Sequence, residues 1–391
     1  MAIEGRKSET AGRIRLGMVG GGQGAFIGAV HRIAARLDDN YVLVAGALSS
    51  DPKRAKASGR ELGLADDRNY GTYEEMARGE AKRADGIEAV AVVTPNNSHY
   101  PIAKTFLSAG IHVICDKPMT TTLADAKRLA GIAAKSGKIF ALTHNYSGYP
   151  MVRQARDMIV NGELGEIRLV QVEYPQDWLT EPLERTGQKQ ADWRTDPARS
   201  GAGGAIGDIG THAYQLACFV SGLELEAVAA ELTTFVKGRK LDDNVQVLLR
   251  FKSGARGALW ASQVAVGNEN ALKIRVYGTK GGIEWKQENP NYLWFTPFGQ
   301  PARLLTRGGS GATPVAARVT RVPSGHPEGY LEGFATIYSE AARAIRAART
   351  GAKVDKAVTF PGIDDGVRGM AFIEACVKSS AKNGAWTKPA G

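Results

Sequence analysis

Ile14 to Val19 (I-R-L-G-M-V) is a short apolar run. It passes straight into Gly20-Gly21-Gly22-Gln23-Gly24-Ala25-Phe26-Ile27-Gly28, after which Ala29, Val30, Ile33, Ala34 and Leu37 recur at helical spacing. A strand that turns through glycines into a helix is the setting in which a glycine motif carries meaning. Gly20 allows a tight turn. Gly22 lets backbone approach a pyrophosphate, whose charge is favoured at a helix N-terminus. The spacing departs from G-x-G-x-x-G, because the third glycine falls at Gly28 with three extra residues in the turn. Gly20, Gly22, Ala25, Phe26 and Ile27 are the candidate contacts to a dinucleotide.

The chain continues in β-α alternation. Tyr41–Leu48 is a second strand, Pro52–Leu62 and Tyr73–Ala77 are helical, and Glu88–Val93 is a buried strand. A helix to Ala109, a strand from Ile111, a helix over Thr122–Ser136 and a strand at Ile139–Leu142 follow, and the pattern closes near Asn145-Tyr146. This predicts a doubly wound parallel sheet. An acidic residue commonly binds the adenosine ribose after the second strand. Here Ser49 and Ser50 stand there, followed by Asp51, Pro52, Lys53 and Arg54, so the choice between NAD and NADP stays open. Thr94, Pro95, Asn96 and His99 form a turn able to touch the dinucleotide, or simply to cap a helix. Ile111–Pro118 (I-H-V-I-C-D-K-P) ends in Asp116-Lys117-Pro118 at the sheet edge that faces a ligand crevice. A lysine there can donate to a substrate oxygen, although a turn lysine in solvent is the plainer alternative.

At 391 residues the chain exceeds one ordinary core, and two domains are expected. The formal net charge of +10 comes from scattered Lys and Arg with no basic-aromatic stripe, which argues against nucleic acid. Cys115, Cys218 and Cys376 lie far apart, forming neither a disulfide framework nor a metal site, and fit a reducing cytoplasm. Met1–Gly12 is polar, is not a signal peptide and is expected to fray. No run approaches a membrane span.

Beyond Tyr146 the pattern changes. Val152–Val160 is helical, Ile167–Glu173 is a strand and Gln176–Gln190 is irregular. Ala227–Val236, Asn244–Phe251, Ala255–Val264, Leu272–Tyr277 and Ile283–Lys286 read as antiparallel strands, with Gly281-Gly282 as a hairpin turn. Pro301–Pro323 reads as loop, and Tyr330–Arg346 and Ile363–Val377 as closing amphipathic helices. Gly203-Gly204 precedes a helix on which Asp208 and His212, four apart, would share one face. A carboxylate so placed can tune a histidine as a proton acceptor. A helix cap beside a packed histidine is the ordinary alternative. The paired glycines would let substrate come close.

Taken together, these motifs resemble the Gfo/Idh/MocA oxidoreductase family of sugar and inositol dehydrogenases, from Arg13 to about Lys382. The family's Glu-Lys-Pro turn is present as Asp116-Lys117-Pro118. Its Gly-Gly-x(3)-Asp-x-Gly-x-His stretch is matched by Gly203 to His212, its Thr-Pro-Asn turn by Thr94 to His99, and its Trp-Arg pair near the nicotinamide by Trp193-Arg194. The resemblance implies an α/β chain. Residues 13–145 would form a Rossmann domain, and 146–391 a substrate and oligomerisation domain with a large open, mostly antiparallel sheet. The C-terminal helix would be free to pack back on the first domain. It also implies hydride transfer between a secondary alcohol of a sugar or cyclitol and NAD or NADP, with NAD favoured by the habit of the sugar-oxidising members. In that chemistry His212 takes the hydroxyl proton, Lys117 hydrogen-bonds the same oxygen and Asp208 orients them. Asp116, Asn145, Trp193 and Arg194 join the cofactor contacts. Tyr146, Arg153, Asp192 and His326 are polar candidates for substrate contact near that site, with an ordinary surface polar residue as the alternative for each. No metal is implied, and a homodimer or homotetramer through the sheet is. Glycoside cleavage by transient oxidation, elimination and re-reduction would use the same residues, whereas the intact Lys117, Asp208 and His212 argue against a third class, a non-catalytic cofactor-binding sensor.

Overall fold

The computed structural model describes residues 12–390. The polar stretch Met1–Gly12 lies outside them, except for Gly12 itself. Five parallel strands come first: β1 (Ile14–Gly20), β2 (Tyr41–Ala47), β3 (Ala89–Val93), β4 (His112–Cys115) and β5 (Phe140–Leu142), in the spatial order β2-β1-β3-β4-β5. β3 reads Ala-Val-Ala-Val-Val and is buried at every position, as a strand covered on both faces should be. The crossovers are α1 (Phe26–Leu37), α2 (Pro52–Glu61), α3 (Tyr73–Glu80), α4 (His99–Ser108) and α5 (Leu123–Ser136). The order reverses between β1 and β3, which pair from Leu16↔Ala89 to Gly20↔Val93. At such a switch point the C-terminal strand ends diverge into a ligand crevice. The turns after β1, β3, β4 and β5 all begin at that edge.

The chain then passes through α6 (Pro150–Val160), β6 (Ile167–Pro175), α7 (Lys189–Arg194), α8 (Pro197–Ser200) and α9 (Thr211–Ser221). Seven further strands follow: β7 (Leu225–Thr233), β8 (Asn244–Phe251), β9 (Arg256–Ser262), β10 (Lys273–Gly278), β11 (Gly281–Lys286), β12 (Tyr292–Pro297) and β13 (Arg303–Thr306). With β6 they make an eight-stranded sheet, β13-β12-β11-β10-β6-β9-β8-β7, antiparallel except where β6 meets β9. Alternation divides its faces. Val170, Val172, Ile274, Val276 and Trp285 are buried, whereas Leu169, Leu248, Tyr277, Trp294 and Leu304 are exposed. α10 (Pro314–Ala317), α11 (Tyr330–Thr350) and α12 (Ile363–Ser380) complete the chain.

α11 packs on the first sheet. Its Phe334, Ala335, Tyr338, Ala341 and Ile345 share one apolar cluster with Ile14, Leu16, Met18, Val30 and Ala34. The Tyr338 hydroxyl meets His31 Nδ1 at 2.8 Å, and its carbonyl accepts from the Tyr41 hydroxyl at 2.9 Å.

Three sequence expectations need correction. Gly281 and Gly282 lie inside β11, and the hairpin turns at Thr279-Lys280, because register pairs Tyr277 with Gly282. The stretch 301–323, expected to be loop, contains β13 and α10, and β12 precedes it. β13 is a short edge strand, and β12 beside it reads Tyr-Leu-Trp-Phe, apolar on both faces, so neither shows an alternating sequence. Asp208 lies in a π-helical turn, Ile206–Gly210, that only then tightens into α9. The α-helical face expected for Asp208 and His212 therefore does not form.

Candidate active site

The glycine turn is built for close approach. Gly20, Gly21 and Gly24 have φ of 79°, 73° and 71°, a left-handed region costly for other residues. A Cβ on Gly21 would come within 2.8 Å of Gly28 Cα, so Gly28 is the glycine that seats α1 against the turn. Gly22 serves the chain's own packing: a Cβ there would meet Ser58 Oγ at 2.5 Å and the Leu48 carbonyl at 2.6 Å. Ala25 precedes α1 without a side-chain cap, Phe26 is exposed and Ile27 is half-buried. No side chain caps the first-turn N–H groups, which leaves them for an anion at the helix N-terminus. Asn145, after β5, is buried with its amide nitrogen unpartnered among the described residues. A capless helix start, a glycine cradle and an orphaned amide along one sheet edge fit a bound dinucleotide.

The other dinucleotide candidates have internal duties. Ser49 Oγ accepts from Asp51 N, Asp51 caps α2 through Arg54 N, and Ser50 is exposed. Thr94 Oγ1 accepts from Ser98 Oγ, and Pro95 starts the short turn over Asn96–Ser98. Asn96 donates to the Ser200 carbonyl at 3.1 Å. His99 is fully buried, with Nδ1 2.7 Å from the Pro118 carbonyl and Nε2 2.8 Å from the Thr94 carbonyl. It ties two turns together and does not line the crevice. Asp116 Oδ1 accepts from Lys117 N and Thr143 Oγ1, which fixes the turn after β4.

Lys117 leaves that turn toward the π-helical segment. Its Nζ donates to Asp208 Oδ1 at 2.9 Å and to the Asp208 carbonyl at 2.6 Å. Asp208 Oδ2 accepts from Arg194 Nε at 3.1 Å and from Gln263 Nε2 at 2.9 Å. Burial pushes the Asp208 carboxyl up, but Lys117 and Arg194 outweigh it and hold it well below the usual carboxylate range. Asp208 is saturated by these partners and does not bond His212. Arg194, expected beside the nicotinamide, stacks on Trp193 and serves Asp208.

His212 faces His144 instead, Nδ1 to Nδ1 at 3.4 Å. The Tyr146 ring lies against it with centroids 4.9 Å apart, and the Tyr146 hydroxyl bonds that of Tyr174. Burial, the Lys117 charge and His144 push His212 well below its ordinary value, so it stays neutral. Burial, then Lys117, pushes His144 down to about 4.

Sequence reasoning missed His144, Tyr174, Gln263 and Asp242. Asp242 is the firmest of these. Its Oδ1 accepts from Gly204 N at 2.6 Å, its Oδ2 from Ile206 N at 2.8 Å, and its carbonyl from Ala205 N at 2.8 Å. Any Cβ on Gly204 would fall on that carbonyl. The double glycine thus admits Asp242, and Asp242 fixes the turn that carries Asp208. No short motif surrounds Asp242-Asp243, so only the fold reveals the clamp.

The remaining candidates scatter. Arg153 is buried, 3.6 Å from Glu340, and donates to the Ser147 and Thr359 carbonyls. Its expected substrate contact is replaced by this internal pair. Asp192 is exposed and pairs with Arg199. His326 is exposed and lines an outer cavity. Among the described residues no group of three or more His, Cys, Asp or Glu could hold a metal, and no helix is long and apolar enough to cross a membrane.

Residues 14–144 match the model of an oxidoreductase family with an NAD-binding Rossmann fold, and residues 152–284 match the GFO/IDH/MocA C-terminal domain. An oxidoreductase from Sinorhizobium meliloti is 65% identical, with 96% of this chain and 99% of that one covered and a TM-score of 0.88. An inositol dehydrogenase homologue from Azotobacter vinelandii, complexed with NAD+, is 38% identical over 99% and 100% of the two chains, with a TM-score of 0.94. A further structure of that description holds NADH and myo-inositol. The uncharacterized oxidoreductase YfiI of Bacillus subtilis is 37% identical, with 96% of each chain covered. The chain belongs to the Gfo/Idh/MocA family of NAD-binding oxidoreductases.

Proposed function

We propose that this oxidoreductase oxidises a secondary alcohol on a sugar or cyclitol ring, reversibly, with Lys117 and His212 acting on one substrate oxygen. The observation that carries this reading is the state of Lys117. Two of its three N–H donors are committed to Asp208, leaving one, in a half-buried setting where Lys117 and Arg194 outnumber one carboxylate. A fixed donor beside a surplus positive charge stabilises the alkoxide character that develops as the hydroxyl loses its proton. His212 is neutral, and its Nε2 has no hydrogen-bond partner among the described residues, so it can accept that proton. Asp208, and Asp242 beneath it, hold the geometry. Bound nicotinamide dinucleotide supplies the hydride acceptor.

NAD is the proposed dinucleotide. NADP is tolerated, because no carboxylate stands at Ser49 or Ser50 to repel a 2′-phosphate. The uncovered sheet face with Leu169, Leu248, Tyr277 and Trp294 is the proposed oligomer contact, and the free thiols of Cys115, Cys218 and Cys376 suit a reducing cytoplasm. The complex of the Azotobacter homologue with NADH and myo-inositol supports the substrate class. The test is a panel of sugars, cyclitols and glycosides assayed with NAD and NADP separately. Reduction of either dinucleotide by a ring polyol is expected. Failure of every polyol with both, in protein that binds the dinucleotide, would refute the reading, and release of a free aglycone would favour glycoside cleavage.

A further inference from the structure

A cavity of about 1340 Å³ lies outside the catalytic group, none of whose residues lines it. It is formed by the turn between β9 and β10 (267–271), the turn between β11 and β12 (287–291) and the segment 325–329 before α11. Its volume exceeds the roughly 300–1,000 Å³ of an ordinary small-molecule pocket, so it holds more than one small ring. A relay of side-chain contacts connects it to the catalytic residues. Asn270, which lines it, accepts from the Tyr174 hydroxyl at 2.8 Å, and Tyr174 meets Tyr146, which lies against His212.

The lining has a definite chemistry. Five carboxamides, Asn268, Asn270, Gln287, Asn289 and Asn291, face it. Asn270 and Asn291 already accept two hydrogen bonds each at Oδ1 and donate one internally, so the free capacity lies with Asn289, the Asn268 carbonyl oxygen and the Gln287 amide nitrogen, a mix of donors and an acceptor that suits hydroxyls. Arg307 is the one lysine or arginine among the described lining residues, and its five N–H donors are all spent. Nε goes to Asn291 Oδ1 at 2.8 Å, Nη1 to the Val322 carbonyl at 2.7 Å and Glu328 Oε1 at 3.0 Å, and Nη2 to the Pro323 and His326 carbonyls. Glu328 also cancels its charge. The α11 N-terminus opens here at Gly329, but the Glu332 carboxylate already takes the Gly329 N–H at 2.8 Å. Glu269 and Glu288 add negative charge. Apart from the exposed His326 imidazole, an anion entering this cavity would find carboxylates and no uncommitted lysine or arginine, and anion sites need such donors.

We propose that this cavity is an outer subsite for an uncharged, polyhydroxylated part of the substrate, and that it rejects sugar phosphates and sugar acids. The proposal rests on the polyol dehydrogenase reading for its link to turnover, but its charge selection can be measured by binding alone.

The experiment titrates the enzyme–NADH complex calorimetrically with three matched pairs: myo-inositol and inositol 1-phosphate, glucose and glucose 6-phosphate, trehalose and trehalose 6-phosphate. At least one neutral member should bind roughly tenfold tighter than its phosphate ester. Asn289 is exposed and its side chain makes no hydrogen bond among the described residues, so Asn289→Lys should fold. That variant should narrow or invert the ratio by about tenfold while NADH affinity holds. Equal or tighter binding of the esters, a ratio unmoved by Asn289→Lys, or silence from all six probes would each overturn the proposal. Turnover separates the two readings. Preferred oxidation of the esters would sink the subsite and leave the dehydrogenase. Neutral polyols that bind with the expected ratio yet never reduce NAD or NADP would sink the dehydrogenase and leave the subsite.

Discussion

Asp208 holds the Lys117 ammonium twice, through its carboxylate at 2.9 Å and its own carbonyl at 2.6 Å. The carbonyl contact ties the lysine to the backbone of the π-helical turn, so one rigid element sets both Lys117 and the approach to His212.

Lys117→Ala and His212→Ala should each lower the oxidation rate by roughly two to four decades, the usual worth of a positioned acid–base group, with dinucleotide affinity unchanged. The double variant should lose far less than the product of the two, since both residues serve one proton transfer. Steady-state kinetics on a proven substrate, with NADH titration as control, decides it. Near-normal rates in both single variants would place the chemistry elsewhere.

The pH profile should separate two groups. His212 lies well below its ordinary value through burial, the Lys117 charge and His144, so its acid limb falls well below pH 6.5. Asp242 is pushed up to about 6 by burial, against the Ile206 and Gly204 N–H donors and with help from the Asp243 charge. Protonating it gives up an acceptor under the Asp208 turn. A shoulder near pH 6 in kcat is expected in the wild type and should be absent in Asp242→Asn, while His212→Ala should remove only the lower limb. A shoulder that survives in Asp242→Asn would refute the clamp's part in catalysis.

Stability should fall with acid. His31, His112 and His144 are each pushed down to about 4 by burial. Between about 4 and 6.5 the unfolded chain binds more protons at these sites, so their contribution is present above 6.5 and is lost toward 4, on the order of 3 kcal/mol each. Asp242 opposes them: its raised value contributes stability below its unfolded value near 3.8 and loses it as pH rises through 6. Three groups outweigh one, and urea midpoints should decline steadily from pH 7.5 to 4.5. A flat profile would mean that the histidines protonate without penalty.

Glycine substitutions should rank by what a Cβ meets. Gly24→Ala faces open space at φ 71° and should cost about 1–2 kcal/mol of strain. Gly22→Val drives into Ser58 Oγ and the Leu48 carbonyl, and should abolish normal dinucleotide affinity. Ser49→Asp should penalise NADP alone by repelling its 2′-phosphate. An equal loss for both dinucleotides would mean that Ser49 does not face the ribose.

Arg153→Ala should act on stability rather than on substrate. Glu340 keeps Arg318 at 2.7 Å, so the loss comes from the buried Ser147 and Thr359 carbonyls that Arg153 leaves behind, about 1–3 kcal/mol. Denaturant unfolding should register that loss, with the KM of surviving protein near wild type.

The first sheet was legible because parallel strands covered on both faces read as continuous β-branched runs, of which β3 is the plainest. β13 was not, since a short edge strand need carry only a partial alternation, nor was β12, whose Tyr-Leu-Trp-Phe run is apolar on both faces. At the site, Lys117, Asp208 and His212 stood out through spacing, yet spacing misassigned Asp208 to His212. A four-residue interval means one face only in an α-helix, and Ile206–Gly210 is wound more widely. His144 and Asp242 reach the site through the meeting of separate strands, which leaves no local signature.

The place of α11 also bears on how the protein is made. β1 to β5 leave the ribosome roughly 190 residues ahead of Tyr330, a gap on the order of ten to forty seconds at ordinary elongation rates. Throughout it Ile14, Leu16, Met18, Val30 and Ala34 lack the side chains that cover them in the finished protein. The nascent N-terminal domain should therefore expose this apolar surface, and a fragment ending at residue 145 should aggregate more readily than one that includes α11.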